Sequence, residues 1–399
     1  MKSITTLVVL ILMSAGAWAQ PSGVLPTRGS EVATYSIVAR DPETGDLGIA
    51  VQSQTMAVGA IVPWAKAGIG AVATQGRADA RLGLAGLDLL SQGFGAREAV
   101  DSLLKDDSES SMRQLAMVSA NGTAFSFTGS ACRPYAGQYT GNGFTVIGNS
   151  LQSEGVITAI ARTFEVATGD LAERLLTALD AGEKASTDGH ARRSAALLVV
   201  RKEGGYEGTS DRYVDLRVDD DSLPLVELHR LYGLWSQKYL GEARMRTMES
   251  FRRDKNFSAA EQELQRLVGS MNALLRDKPD DPAVLDRVAW TLATNGIDPP
   301  RALELAKRAA TLNPGNMGYL HTLAQCHFAA GHLDEAIAIE SESSTTTSAS
   351  LSNWMPLASS AWVPMTMLTV PSARPRRTSA AFLAGTRRES CSMRIGRPS

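Results

Sequence analysis

Thr34-Tyr35-Ser36-Ile37-Val38-Ala39-Arg40-Asp41-Pro42-Glu43-Thr44-Gly45-Asp46-Leu47-Gly48-Ile49-Ala50-Val51 is the stretch on which the fold turns. Thr34 to Arg40 reads as a strand, and its unbroken Ile37-Val38-Ala39 asks for burial on both faces. Asp41 to Asp46 carries Pro, Gly and short acidic side chains that favour a turn, and Leu47 to Val51 returns as a second strand. A hairpin buried on both sides needs cover above and below. That requirement sets the reading of everything that follows.

Outward from the hairpin, Val58 to Val62 and Gly68 to Thr74 read as strands rich in Gly and Ala, suited to close packing. Asp79 caps a helix carrying Leu82, Leu87 and Leu90, and a second helix turns Ala99, Val100, Leu103 and Leu104 inward. Strands resume at Gln114, and Asn121-Gly122 between two apolar runs signals a hairpin. Phe144 to Ile147 adds a strand. Two helices follow, one with Val156, Ile157, Ile160 and Phe164, the other capped at Asp170 with Leu171, Leu175 and Leu179. Ala195 to Val200 and Arg212 to Val218 are strands, and Leu225, Leu228, Leu231, Tyr232 and Trp235 form one face of a closing helix. Grouped strands with helices arriving in pairs predict an α+β fold, a four-layer αββα sandwich over residues 34–236.

Beyond Trp235 the chain turns helical. Residues 237–280 read as a helical linker or a degenerate repeat. Within 281–340, Asn313-Pro314 echoes Asp281-Pro282 after 32 residues, Ala336 echoes Ala302 after 34 and Ala324 echoes Ala289 after 35. This period resembles the tetratricopeptide repeat, an all-α helical-repeat pattern whose units bury their faces on one another. Residues 341–399 hold 13 Ser, 7 Thr and 7 Arg with no Lys or Asp. Such a tail fits a disordered segment or an out-of-frame reading of a GC-rich gene.

Residues 1–19 read as a secretory signal peptide: Lys2 supplies the positive start, Ile4 to Met13 the apolar core and Ala17-Trp18-Ala19 the cleavage site. Cleavage after Ala19 leaves a leader of residues 20–33 and predicts a periplasmic or secreted protein. Forty basic residues against 42 acidic ones produce no field for nucleic acid or an anionic membrane. Three cysteines, far apart, imply no disulfide framework. His321, Cys326, His327 and His332 match no zinc spacing, so neither metal nor cofactor is expected. Asp219-Asp220-Asp221 reads as a cap and turn, Asp215 with Arg217 as a cross-strand pair, and His190, Arg192 and Arg193 as solvated loop charges.

Thr34 to Gly45, Val58 to Gly68 and Arg212-Tyr213-Val214-Asp215-Leu216-Arg217-Val218-Asp219-Asp220 together resemble the family called domain of unknown function 1028, which is N-terminal-nucleophile-hydrolase-like. Thr128-Gly129, Cys132, Ala136-Gly137, Gly148-Asn149 and Ser194 to Leu198 fit the same pattern. The resemblance implies the αββα sandwich and an amide- or peptide-bond hydrolase, with Thr34 as nucleophile and its own α-amine as base. An α-amine titrates near pH 8, so it accepts a proton at neutral pH without special burial. Lys66 then stands as the charge-stabilising lysine, Gln75 and Asn149 as oxyanion donors, and Ser36 and Cys132 as alternative nucleophiles. Three features depart from that pattern: Gln52-Ser53 replaces an acidic residue after the second strand, Ala33 rather than Gly precedes Thr34, and the leader still covers Thr34 after export. The expected partners are a small-molecule or peptide amide substrate and a protein held by the repeats. The second reading is a non-catalytic binding protein that uses sandwich and repeats to hold a peptide or cell-envelope partner.

Overall fold

A computed structural model describes residues 32–186 and 192–346. The proposed signal peptide, His190 and the tail beyond 346 lie outside them. The opening hairpin is β1 (Thr34–Arg40) and β2 (Leu47–Ser53), paired antiparallel from Thr34 with Ser53 to Arg40 with Leu47. Asp41 closes its turn by accepting the backbone N–H of Glu43 and Thr44. The predicted strand at Val58–Val62 is instead a short 3-10 turn, Val58–Ala60. Gly59 presses against Ala196 so closely that a Cβ would lie 2.8 Å from it, which holds this segment over the sheet rather than in it.

The remaining elements follow in order. β3 (Pro63–Lys66) and β4 (Gly70–Gly76) are followed by α1 (Ala80–Ser91) and α2 (Ala96–Leu104). Then come β5 (Arg113–Ser119), β6 (Ala124–Thr128), β7 (Gly137–Gly141) and β8 (Phe144–Asn149). After α3 (Gly155–Val166) and α4 (Leu171–Ala185), β9 (Ser194–Val200) and β10 (Arg212–Val218) complete the strands. Asp79 caps α1 through the Arg81 N–H, and Asp170 with Glu173 makes a capping box on α4, as their spacing predicts. β7 escapes the sequence reading because its Gln138, Tyr139 and Thr140 lie exposed on a sheet edge, where no apolar alternation is needed.

The strands form two antiparallel sheets, ordered β10-β9-β2-β1-β8-β7 and β3-β4-β5-β6. Period two sorts each strand's side chains. Tyr35, Ile37 and Ala39 face α3 and α4, whereas Val38, with Leu47, Ile49 and Val51, meets Ala71, Ala73, Ala116 and Val118 of the second sheet. Leu87, Leu90, Ala99 and Val100 of α1 and α2 cover that sheet's outer side. The result is the αββα sandwich.

α5 (Pro224–Trp235) packs on the outer face of the larger sheet and runs through a π turn (Ser236–Leu240) into α6 (Gly241–Arg253). α5 is tied to α4 by His229, whose Nε2 lies 2.9 Å from Asp180. That hydrogen bond raises the His229 pKa against a smaller opposing effect of burial. A raised folded-state value means the stabilisation is complete below pH ~6.5 and fades as pH rises through the folded value. Urea unfolding at roughly pH 5 and pH 9 should show a difference of about 0.5 kcal/mol that His229→Gln removes, the scale of a half-exposed pair.

The segment 237–280 is helical: after the π turn it forms α6 and the 21-residue α7 (Phe257–Asp277). α8 (Pro282–Thr294), α9 (Pro299–Leu312), α10 (Met317–Ala329) and α11 (Leu333–Thr346) then stack as helical hairpins over Leu285, Ala289, Ala302, Ala306 and Cys326. Asp281 caps α8 ahead of Pro282, the start that the repeat signature predicts. Among the described residues, no helix is long and apolar enough to cross a membrane.

Candidate functional site

At the end of the interlayer where β1 begins, the apolar core gives way to polar side chains. Thr34, Ser36, Ser53, Gln75, Gln114 and Asn149 all point between the sheets and all are buried. Thr34 Oγ1 lies 2.8 Å from Ser53 Oγ. Ser36 Oγ donates to Gln75 Oε1 at 2.6 Å, and Gln75 Nε2 donates to the Thr34 carbonyl at 3.4 Å and to Gln114 Oε1 at 2.9 Å. Gln114 Oε1 also accepts from Asn149 Nδ2 at 2.9 Å. Gln114 Nε2 donates to Thr128 Oγ1, to the Gly137 carbonyl and, at 2.8 Å, to the Gly148 carbonyl. Gln114 is thus the hub that joins both sheets.

Among the described residues these bonds form a network without charge. Arg113, next along β5, faces the outer side and is held by Asp107 at 2.8 Å and Glu109 at 3.0 Å. Neutral donors and acceptors satisfy one another here at low dielectric, which rigidifies the site and supplies no titrating base at neutral pH. Both Gln75 Nε2 protons are engaged, so Gln75 does not serve as an oxyanion donor. Asn149 Nδ2 has one N–H on Gln114 and keeps the other.

The other expected residues fall differently. Lys66 is exposed and pairs with Gly70, five residues down β4 from Gln75, which puts it roughly 16 Å away at the opposite end of the strand. It is not beside Thr34 and cannot stabilise charge there. Cys132 lies nearer, its Sγ 3.4 Å from the Arg113 carbonyl, but burial pushes its thiol pKa up and disfavours the thiolate. Asp215 and Arg217 pair at 3.2 Å on β10, the edge strand of the larger sheet. Asp221 caps the Leu223 N–H, and Asp220 binds Arg193. Gln114, Ser53 and Thr128 were not among the site residues expected from the sequence, although a glutamine leading the apolar Leu115-Ala116-Met117-Val118 marks a position that must find polar partners.

Residues 32 and 33 continue the chain into this site. Ala33 is buried, donates its N–H to Gln54 Oε1 at 3.1 Å and accepts the Gln54 N–H at 3.1 Å. In this form Thr34 nitrogen is a peptide amide, not an amine.

The Family of unknown function (DUF1028) matches residues 34–228, and a tetratricopeptide repeat family matches residues 298–340. A crystal structure of a DUF1028 protein from Silicibacter pomeroyi is 32% identical, covers 53% of this chain and 90% of its own, and superposes with a TM-score of 0.49. No curated protein matches the chain. The family's residues span the whole sandwich from β1 into α5, so by its N-terminal domain the chain belongs to the DUF1028 family and carries a tetratricopeptide repeat segment behind it.

Proposed function

We propose that the protein is a latent amide- or peptide-bond hydrolase whose nucleophile, Thr34, becomes competent when the Ala33–Thr34 bond is cut. The observation that carries this reading is the place of Thr34 Oγ1 at the head of β1, 2.8 Å from Ser53 Oγ, inside a network with no charged group. In such a network the newly freed α-amine would be the base at hand, titrating near pH 8. It would take the Oγ1 proton as Oγ1 attacks the substrate carbonyl, then return that proton to the departing nitrogen as the C–N bond breaks. Water would hydrolyse the resulting ester. The free Asn149 N–H suits the transient oxyanion. Export by the signal peptide at residues 1–19 belongs to the same proposal.

The expected result is covalent labelling of a chain beginning at Thr34 by a β-lactone, seen by intact mass. A chain beginning at Gln20 and a Thr34→Ala variant should stay unlabelled. Equal labelling of all three would exclude Thr34 as nucleophile.

A second reading, a non-catalytic protein that holds a peptide or cell-envelope partner with its repeats, is favoured by one observation. Ala33 is built into the sheet by two hydrogen bonds to Gln54, which opposes removal of the residues before Thr34. N-terminal sequencing of the mature protein separates the two: a stable start at Gln20 supports the second.

A further inference from the structure

Where α6 and α7 meet the sandwich, a cleft of about 490 Å³ opens between the β1–β2 turn, the loop into α4 and the face of α7. Asp41 follows β1 at the end away from Thr34, so the cleft lies roughly 23 Å from the site above and is independent of it. Its volume is that of a small-molecule pocket, but its walls are charged rather than apolar. Its charged lining is Arg174, Arg244 and Arg266 against Asp41, Glu43, Asp170 and Glu173, of which Arg244 and Asp170 pair with each other.

Arg174 differs from the arginines of the buried network nearby. Arg201 is saturated there, with two bonds to Asp46 at 2.8 and 2.6 Å and a third to Glu263. Arg174 has five donors and one contact, at 3.5 Å, to Asp41 Oδ2. Its guanidinium is nonetheless held in place, 4.4 Å above the Phe164 ring, with a side chain only 18% exposed. A largely buried cation with spare donors and a fixed plane is prepared for a carboxylate, which it can take in fork geometry. Arg266 on α7 brings a second cation to the opposite wall, where it pairs with Glu43 and, at 3.4 Å, with Glu263. A bare anion would meet Asp41 and Glu43 on the way in, and those carboxylates favour an ammonium.

We propose that this cleft is a composite binding site for a small zwitterion, a free amino acid or short peptide, its carboxylate on Arg174 and Arg266 and its ammonium toward Glu43 and Asp41. The sandwich supplies one wall and the docked helices the other, so neither part holds the ligand alone. Glycylglycine titrated into the full mature chain at low ionic strength should release or absorb heat with millimolar or tighter affinity. Acetate should bind about tenfold more weakly, and Arg174→Gln should weaken glycylglycine about tenfold, with Arg174→Lys between. Arg266→Gln reads the same effect from the opposite wall, at a more exposed side chain. The proposal is overturned if glycylglycine gives no binding heat, if acetate binds as tightly, or if both glutamine variants bind like wild type.

Discussion

Glu263→Gln is expected to cost the folded chain about 3–5 kcal/mol, measured as a lower midpoint in urea with little change in slope. Glu263 sits on α7 with its side chain wholly buried. Its Oε1 accepts Arg201 Nη1 at 3.3 Å and Arg244 Nη1 at 3.0 Å, and its Oε2 accepts Arg266 Nη1 at 3.4 Å. Arg201 also holds Asp46, and Arg244 holds Asp170. Two buried guanidiniums therefore share one carboxylate. A neutral amide leaves them underpaired at low dielectric, and its NH2 confronts donors with another donor.

The same reasoning predicts a contrast. Replacing Asp46, Asp170, Arg201, Arg244 and Glu263 together by apolar residues of similar size should cost much less than removing Glu263 alone, because no deeply buried charge is then left without its partner. The network spans the sandwich and α6–α7, a region that lies outside both family matches. Unfolding of the two parts should consequently be coupled in a single transition, which Glu263→Gln would move as a whole to lower urea. A loss under about 0.5 kcal/mol would show that the network does not carry the junction.

Gln114→Leu should be nearly as costly, about 3 kcal/mol or more. The side chains match in size, so the loss is polar rather than a cavity. Removing Gln114 leaves an N–H of Gln75 and one of Asn149 without an acceptor, and strips a donor from the Gly148 carbonyl, each a buried group costing about 1–3 kcal/mol when unpaired. Because Gln114 fixes both Gln75 and Asn149, Thr34 should also lose its setting. β-Lactone labelling of a Thr34-first chain is expected to fall sharply even at temperatures where the variant stays folded. A variant of wild-type stability would mean that the interlayer amides are solvated or rearrange freely.

Much of this was legible in the chain itself. The alternation from Thr34 to Val51, the caps at Asp79 and Asp170, the Asn121-Gly122 turn and the 34-residue echoes each rest on neighbours within a few residues or on a simple period, and each marks a real element. Thr34, Ser36 and Asn149 were singled out, and the fold brings them to one end of the interlayer. Lys66 was misplaced because counting residues from Thr34 does not reveal which end of a strand a side chain occupies. β7 was missed because an exposed edge strand needs no apolar face.

What the sequence determined, then, is which segments become strands and helices and how they layer, since those follow from periodicity and local capping. What only the tertiary structure decided is which polar side chains share a buried site. Gln114 became a hub because β5 and β8 meet across the interlayer, and Arg201 and Asp46, 155 residues apart, became a buried pair because α6 and α7 close over them. In a linear reading, arginines and carboxylates default to solvent. Burial of a charge depends on partners that only folding supplies.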